Sequence, residues 1–160
     1  MTNKKYLFAL SISPVQSFIA QARKTQDLYT GSKMLSDLID EAIQYLDELT
    51  VVSSKLVFPN SSAESKPNRF ITIIALSEGE TIENIGNKVE LYLKNRLLAY
   101  AEKYIQLDQE KYASIWQVIK AQLADFLQVY WAAVLYNESN YAEKYRELEQ
   151  TLGAVKNLRA

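Results

Sequence analysis

The sequence, 160 residues long, contains no cysteine and no histidine. Without cysteine the chain has no disulfide, no thiolate zinc site and no cysteine nucleophile. Without histidine it also lacks the side chain that most often serves as a general acid or base and as a metal ligand. These two absences exclude most familiar active sites.

A strong net charge and a long apolar run are missing as well. The 18 basic and 19 acidic residues leave a net charge of -1, so no global field attracts the chain to nucleic acid or to a membrane. Any contact with nucleic acid must therefore come from a local patch. No run approaches about 18 apolar residues, and the start of the chain lacks a signal-peptide cleavage site, so we expect a cytoplasmic protein without a membrane span.

The chain does contain enough apolar material for a core. Hydrophobic residues make up 48% of the sequence, which suffices for a single domain over residues 1–160. Alternating side chains predict strands over 6–12 and 70–76, both apolar on two faces. Enrichment in β-branched and aromatic residues predicts two more strands, over 51–58 and 127–136.

Helix signals fill the intervals between these strands. Ser13 and Pro14 are typical of the start of a first helix. Gly31 is typical of its end, and Ser32 then caps a second helix. Another pair of helices follows the third strand, and a last helix occupies the tail. The order β-α-α-β-β-α-α-β-α predicts an α+β domain, namely a ferredoxin-like sheet with helices on one face and extra helical insertions.

The strands that are apolar on both faces have a further implication. In the ferredoxin-like plan the helices cover one face of the antiparallel sheet, whereas three of the strands are apolar on both sides. An uncovered apolar face of that size is rare on a monomer and usually marks an interface. We therefore expect the second face of the sheet to dock on another domain or subunit.

Four segments resemble one known family in order and in spacing. They are SPVQSFIAQARKTQDLYTGSKMLSDL at 13–38, FPN and PNRF around the central loop, YWAAVLYNESNYAEKY at 130–145 and LGAVKNLR at 152–159. Together they resemble the first palm domain of the large subunit of the type III-B CRISPR (Cmr) effector complex, and the first segment is the most specific. In that family two ferredoxin-like palms pair and form a nucleotide-binding cleft.

The resemblance implies a subunit of an RNA-guided complex of antiviral defence, which acts on guide and target RNA together with other Cmr subunits. On target binding, such a subunit joins ATP molecules into cyclic oligoadenylate messengers. The divalent metals for this reaction are held by a Gly-Gly-Asp-Asp turn in the second palm, and the present chain contains neither Gly-Gly nor Asp-Asp. We therefore expect a palm that is not catalytic by itself, a fragment of a longer subunit that pairs with the second palm.

Candidate contacts to ATP lie in the first matched segment. If Ser32 starts a helix, its hydroxyl and the free backbone N–H groups after Gly31 suit a phosphate. The same two residues are also explained as a helix end followed by a helix cap, which needs no ligand. Gln16 and Arg23 are polar side chains of the preceding helix that the nucleotide would meet. An ion pair between Arg23 and Asp27 is the structural alternative.

Contacts to RNA or to another subunit are expected from Arg69, Asn68 and Lys24. Arg69 is the first of these to test, whereas ordinary turn chemistry also explains an asparagine after a proline. Two positions depart from the family pattern. Ser13 stands where glycine is usual, and Val155 stands where a basic residue is expected.

Two other functions fit the same residues. One is a stand-alone RNA-binding domain that uses Arg69 and stacks bases on Tyr130 or Trp131, although packing is the simpler role for these aromatics. The other is a structural homodimer that buries the apolar sheet face. We interpret the carboxylates of Asp37, Asp40 and Glu41 as a solvated helix face and not as a metal site.

Overall fold

A computed structural model describes the chain in six stretches. They are residues 4–14, 25–49, 52–59, 68–104, 113–124 and 127–159. The elements within them are, in chain order, β1 (Lys5–Pro14), α1 (Thr25–Glu48), β2 (Val52–Phe58), β3 (Arg69–Leu76), α2 (Ile82–Tyr104), α3 (Ala113–Ala124), β4 (Leu127–Leu135), a 3-10 turn (Glu138–Asn140) and α4 (Tyr141–Arg159). Of the helices in these stretches, none has both the length and the apolar character needed to cross a membrane.

The four strands form one antiparallel sheet in the order β2-β3-β1-β4. Ser11 lies opposite Arg69 of β3 and opposite Tyr130 of β4, which fixes the register of the central strand on both sides. The central strands β1 and β3 are two of the three strands that were predicted to be apolar on both faces, as strands covered on two sides must be. With connections through α1 and α2, this strand order confirms the α+β, ferredoxin-like prediction.

Helices α1 and α2 cover the first face of the sheet. In both helices the buried side chains recur every three or four residues, so each helix turns one apolar stripe toward the strands. The buried members of this core are Phe8, Leu10, Ile12, Leu38, Ile39, Ala42, Leu46, Phe70, Ile74, Leu76, Ile82, Ile85, Val89, Leu93, Leu97, Leu127 and Val129. Full burial of one such side chain stabilises the fold by about 1.5–3 kcal/mol, so this face supplies most of the driving force for folding.

A glycine allows α2 to lie directly on β4. Gly86 is a buried residue of α2, and a methyl group added there would overlap the indole ring of Trp131. Even the third-nearest ring atom, Cδ2, would lie only 2.7 Å away. The same indole stacks on Phe8, with ring centroids 5.7 Å apart and planes inclined by 24°. Trp131 therefore fills the space between the helix and the sheet.

The second face of the sheet is covered by the last helix, α4. Leu148 and Leu152 of α4 are buried there against side chains of the strands. The strand residues of this second core are Leu7, Ala9, Ile71, Tyr130, Ala132 and Val134. The prediction that helices lie on one face only is therefore wrong, because the chain itself supplies the cover that two-sided strands require. The expectation that this face docks on another domain loses its basis.

The predicted helix boundaries after β1 are also wrong where they are described. β1 continues through Ser13 to Pro14, which lies opposite Leu127, so Pro14 does not begin a helix. α1 runs without interruption through Gly31 and Ser32. Glycine inside a helix costs about 1 kcal/mol, which is small beside the burial of the apolar stripe of α1. The rest of the predicted first helix, residues 15–24, lies outside the described residues.

Candidate functional site at the hairpin end of the sheet

The predicted interface residues meet at one end of the sheet, which we call the hairpin end. It is the end at which β1 and β2 finish and β3 and β4 begin. Its described members are Ile12, Ser13, Phe58, Asn68, Arg69 and Gln128. Antiparallel pairing brings these residues together, because the end of each strand lies beside the start of its neighbour.

Asn68 joins the start of β3 to the end of β1. Its Nδ2 donates a hydrogen bond to the carbonyl oxygen of Ile12 at 3.1 Å, and its own carbonyl oxygen accepts one from the backbone N–H of Ile12 at 2.9 Å. These two bonds continue the β1–β3 ladder by one pair. Asn68 thus has a defined structural role, and its contact with RNA or with another subunit stays a prediction.

Arg69 connects the sheet to α4. Its Nη1 donates to Glu149 Oε2 at 3.0 Å, and its guanidinium carbon lies 5.6 Å from the centre of the Phe58 ring. The Arg69 side chain is 35% exposed. The second carboxylate oxygen of Glu149, Oε1, is buried and has no hydrogen-bond partner among the described residues. The cation that was expected to face RNA therefore already carries an ion pair within the domain.

Sequence reasoning did not identify Glu149. The helical spacing of Tyr145, Leu148 and Leu152 predicted α4, but nothing in that spacing indicated the strand against which α4 lies. Only the packing of α4 on the second sheet face places Glu149 over the start of β3. Knowledge of that packing would have been needed to predict the pair.

Replacing Arg69 by alanine should reduce the free energy of unfolding by about 1 kcal/mol, because the ion pair is only partly shielded from water. Urea denaturation of Arg69→Ala, Glu149→Gln and the double variant gives the coupling energy between the two side chains. A coupling energy of zero would show that the Arg69–Glu149 pair does not hold α4 to β3.

The remaining predicted site residues are divided between α1 and the part of the chain outside the description. Gln16, Arg23 and Lys24 lie outside the described residues. Gly31 and Ser32 are the seventh and eighth residues of α1. Only the first four N–H groups of a helix lack partners within it, so the premise of free N–H groups at Ser32 is wrong. Contact of these residues with ATP stays a prediction of the family resemblance alone.

A second polar cluster, which we call the interhelical cluster, joins α1 to α2. The Arg96 guanidinium donates to both carboxylate oxygens of Glu41, at 2.9 and 3.3 Å, and the Tyr100 hydroxyl donates to Oε1 at 2.7 Å. Nearby, the rings of Tyr45 and Tyr92 stack with their centroids 4.3 Å apart. Glu41 is thus not part of a solvated face, as the sequence suggested, but connects two helices.

The interhelical cluster shifts the pKa of each of its members. Partial burial acts to raise the pKa of Glu41, but hydrogen bonds from Arg96 and Tyr100 and the Arg96 charge outweigh it and lower that pKa. The hydrogen bond to Glu41 raises the pKa of Arg96. Burial, followed by the hydrogen bond to Glu41, raises the pKa of Tyr100 to about 12.

These shifts predict a loss of stability in acid. A carboxyl group with a lowered pKa in the folded state stabilises the fold above its ordinary pKa of 4.5, and the contribution is lost as the pH falls through the lower, folded value. Glu41→Gln should therefore be less stable than the parent by about 1 kcal/mol near neutrality, with the difference shrinking below about pH 4. Urea denaturation at several pH values measures this.

Glu90→Gln is the matched control for Glu41→Gln. Glu90 of α2 pairs with Lys94, which lies one turn further along α2, at 3.4 Å. Such a pair contributes only a few tenths of a kcal/mol. If both variants lose the same stability at every pH, the interhelical cluster has no special role.

Two features outside these clusters carry little chemistry. Tyr130 is buried in the second core and Trp131 packs between α2 and Phe8, which confirms packing over base stacking for both. At the end of the sheet opposite the hairpin end, a cleft of ≈ 400 Å³ is lined by Lys4, Tyr6 and residues 76–83, and three of these residues are glutamates. Among the described residues, no three histidine, cysteine, aspartate or glutamate side chains are grouped so that they could hold a metal ion.

The fold defines the class of this protein. An antiparallel β2-β3-β1-β4 sheet with helical crossovers is a ferredoxin-like domain of the kind found in palms. Residues 7–148 match the family described as CRISPR-associated protein Cmr2, N-terminal. The chain therefore belongs to the Cmr2 N-terminal family, the amino-terminal region of the large subunit of the type III-B CRISPR complex. A search of curated proteins gives no match.

The family membership confirms the resemblance that the four sequence segments indicated. It also assigns the chain to a subunit of the Cmr complex, which contains further subunits. The match extends from β1 into α4 and so includes the hairpin end and the interhelical cluster.

Proposed function

We propose that this chain is the non-catalytic palm of a type III-B large subunit. It pairs with a second palm, forms one wall of an ATP cleft and serves antiviral defence through cyclic oligoadenylate signalling. The observation that supports this function is the palm-like strand order in a chain of the Cmr2 N-terminal family. The Gly-Gly-Asp-Asp turn expected to hold the divalent metals is not in these 160 residues, so the metal would come with the second palm.

The described residues limit which groups would meet ATP. Gly31 and Ser32 lie inside α1, where their N–H groups do not fit a phosphate, so we leave them out of the proposed contact. The partly exposed carboxylate of Glu149 at the hairpin end has the wrong charge to face one. Gln16 and Arg23 remain the candidates, with Arg23 supplying a cation for a phosphate oxygen.

The two alternative functions have lost the observations on which they rested. A stand-alone RNA-binding domain was to use Arg69 and the aromatics Tyr130 and Trp131. Arg69 already pairs with Glu149, Tyr130 is buried in the second core, and the partly buried Trp131 packs against Gly86 and Phe8. A homodimer was to bury the apolar second face of the sheet, which α4 already covers.

The first test is a synthesis assay with the isolated chain. Incubated with ATP and Mg²⁺ or Mn²⁺, the chain alone should make no cyclic oligoadenylate, because the metal-binding turn would belong to the other palm. Product is detected by mass spectrometry. Any cyclic oligoadenylate whose formation depends on this chain would contradict the proposal that this palm is not catalytic by itself.

The second test measures ATP binding by the assembled Cmr complex that contains this chain. Arg23→Ala should weaken the binding of a fluorescent ATP analogue roughly tenfold, as loss of one charge-assisted hydrogen bond does. Lys33→Ala is the matched control, because Lys33 is an exposed cation of α1 that pairs with Asp37 at 3.2 Å. If the two variants bind the ATP analogue with equal affinity, Arg23 does not contact ATP.

A further inference from the structure

The last strand, β4, lies at the edge of the sheet with β1 as its neighbour. The backbone N–H of Tyr136 donates to the carbonyl oxygen of Lys5 at 3.2 Å, which marks a hydrogen-bonded pair. In an antiparallel ladder such pairs recur every second residue, so Ala132 and Val134 direct their backbone groups toward β1. The intervening residues direct theirs outward. Three of them are Trp131, Ala133 and Leu135, and no described strand lies on that side.

This edge lacks the features that protect sheet edges from other chains. The nine residues of β4, LQVYWAAVL, include no charge and no proline, and their register with β1 is continuous. The opposite edge, β2, carries the exposed Lys55, a register shift between Leu56 and Phe58, and Pro59 directly after it. Charges, irregular pairing and proline are the usual means of blocking an edge. The β2 edge is thus blocked, whereas at Trp131, Ala133 and Leu135 no strand among the described stretches pairs with the outer side of β4.

The side chains around the open edge are apolar on both sides of the sheet. Toward α2, Trp131 and Ala133 are only partly buried and Leu135 is 50% exposed. Toward α4, the rings of Tyr136 and Tyr141 meet edge to face, with centroids 6.0 Å apart. An added strand would therefore place apolar side chains against apolar neighbours on each of its faces.

We propose that the edge formed by Trp131, Ala133 and Leu135 binds an extended segment of another protein of the Cmr complex. The segment adds a fifth strand to the sheet, held by main-chain hydrogen bonds, and carries apolar side chains at successive positions. The choice of a Cmr protein as the partner rests on the proposed function. The edge itself, to which no described strand pairs at these three residues, is seen in this chain independently of that function.

The length of the edge favours a segment of another subunit over a second copy of this chain. From residue 131 to residue 135 the strand spans only about 13 Å. Val129 is the outward position that precedes Trp131. It already has an interaction within the chain, so it is left out of the proposed ladder. Two such edges paired with each other bury a few hundred Å², well under the roughly 1,000 Å² that a stable dimer needs. A segment of a larger subunit is also held by the contacts that the rest of that subunit makes within the complex.

Two proline variants separate the outward groups of β4 from its inward groups. Ala133→Pro removes an outward N–H and leaves the ladder to β1 complete, so the domain should stay folded and capture of Cmr proteins should fall roughly tenfold. Ala132→Pro removes an N–H that faces Ala9 of β1 and should unfold the domain. Circular dichroism tests folding, and co-purification with the Cmr proteins tests capture.

Amide hydrogen exchange gives a measurement that needs no substitution. In the isolated chain the amides of Trp131, Ala133 and Leu135 should exchange at least tenfold faster than those of Ala132 and Val134. In the assembled complex the three outward amides should become protected. Slow exchange in the isolated chain when dilute would overturn the proposal, because the chain would then cover its own edge.

The remaining outcomes distinguish the two proposals. If Cmr proteins capture the chain and the three outward amides stay unprotected, the edge proposal fails and the proposed function stands. If protection rises with the concentration of the isolated chain, the partner is a second copy and the edge proposal is wrong. If no Cmr protein captures the chain, both proposals fail.

Discussion

Gly86→Ala should destabilise the domain by about 1–3 kcal/mol, although alanine is the better helix former. The added methyl group would overlap the Trp131 ring, which itself stacks on Phe8. Neither the indole nor the backbone of α2 can move far without opening the first core. Steric overlap should therefore outweigh the gain in helix propensity of roughly 1 kcal/mol. The free energy of unfolding in urea measures the result.

Gly153→Ala is the matched control for this prediction. Gly153 lies in α4, and a methyl group added there meets no atom within 4 Å. The same substitution should therefore stabilise the domain by roughly 0.5–1 kcal/mol, through the unfolded chain and through helix propensity. Combining Gly86→Ala with Trp131→Leu should cost less than the sum of the two single changes. Equal signs for the two glycine variants would contradict the contact between α2 and β4.

Leu148→Ala should cost about 2–5 kcal/mol, the largest loss that we expect from shortening one side chain. Leu148 is 0% exposed and lies in the second core, where α4 covers β1, β3 and β4. The substitution leaves a cavity in a thin layer made by one helix. Because a domain of this size is stable by only some 5–15 kcal/mol, this loss is a large share of the total, and the variant should bind a dye specific for exposed apolar surface at a lower urea concentration than the parent does.

The control for Leu148→Ala lies in the same helix. Leu158 is 87% exposed, so Leu158→Ala should change the free energy of unfolding by less than about 0.5 kcal/mol. Both variants change the helix propensity of α4 to the same degree, which isolates the contribution of burial. Similar losses in the two variants would show that α4 is not packed on the sheet in solution.

The strands could be predicted because their signals are local. The alternation in β1 and the β-branched run in β3 are read from consecutive residues, and their apolar character on both faces indicated a central position. The cover on the second face could not be predicted in the same way. Which helix packs there depends on the path of the chain after β4, and the spacing of Leu148 and Leu152 is compatible with either face.

The helix boundary at Gly31 shows how a local signal can be overruled. A glycine followed by a serine is a common end and start of helices, yet α1 continues through both. Its buried stripe from Leu38 to Leu46 belongs to the first core, and that burial exceeds the cost of one internal glycine.

The candidate site was predicted in part. Asn68 and Arg69 were expected to act together, and both lie at the hairpin end. Their partners Ile12 and Glu149 are 56 and 80 residues away in sequence, and no spacing rule links such distant positions. The same holds for Glu41 and Arg96, which are 55 residues apart and meet only because α1 and α2 lie side by side.

The position of α4 in the sequence also determines when, during synthesis, the second apolar face of the sheet is covered and no longer promotes aggregation. Because α4 is made after all four strands, the apolar face of Leu7, Ile71 and Val134 has no cover from α4 until residues 141–159 have been translated and have left the ribosome. Synthesis of that stretch takes on the order of 1–4 s at the usual rate of elongation. During that interval the nascent sheet presents a surface that chaperones recognise, so stalling within the α4 codons should increase chaperone binding and insoluble product.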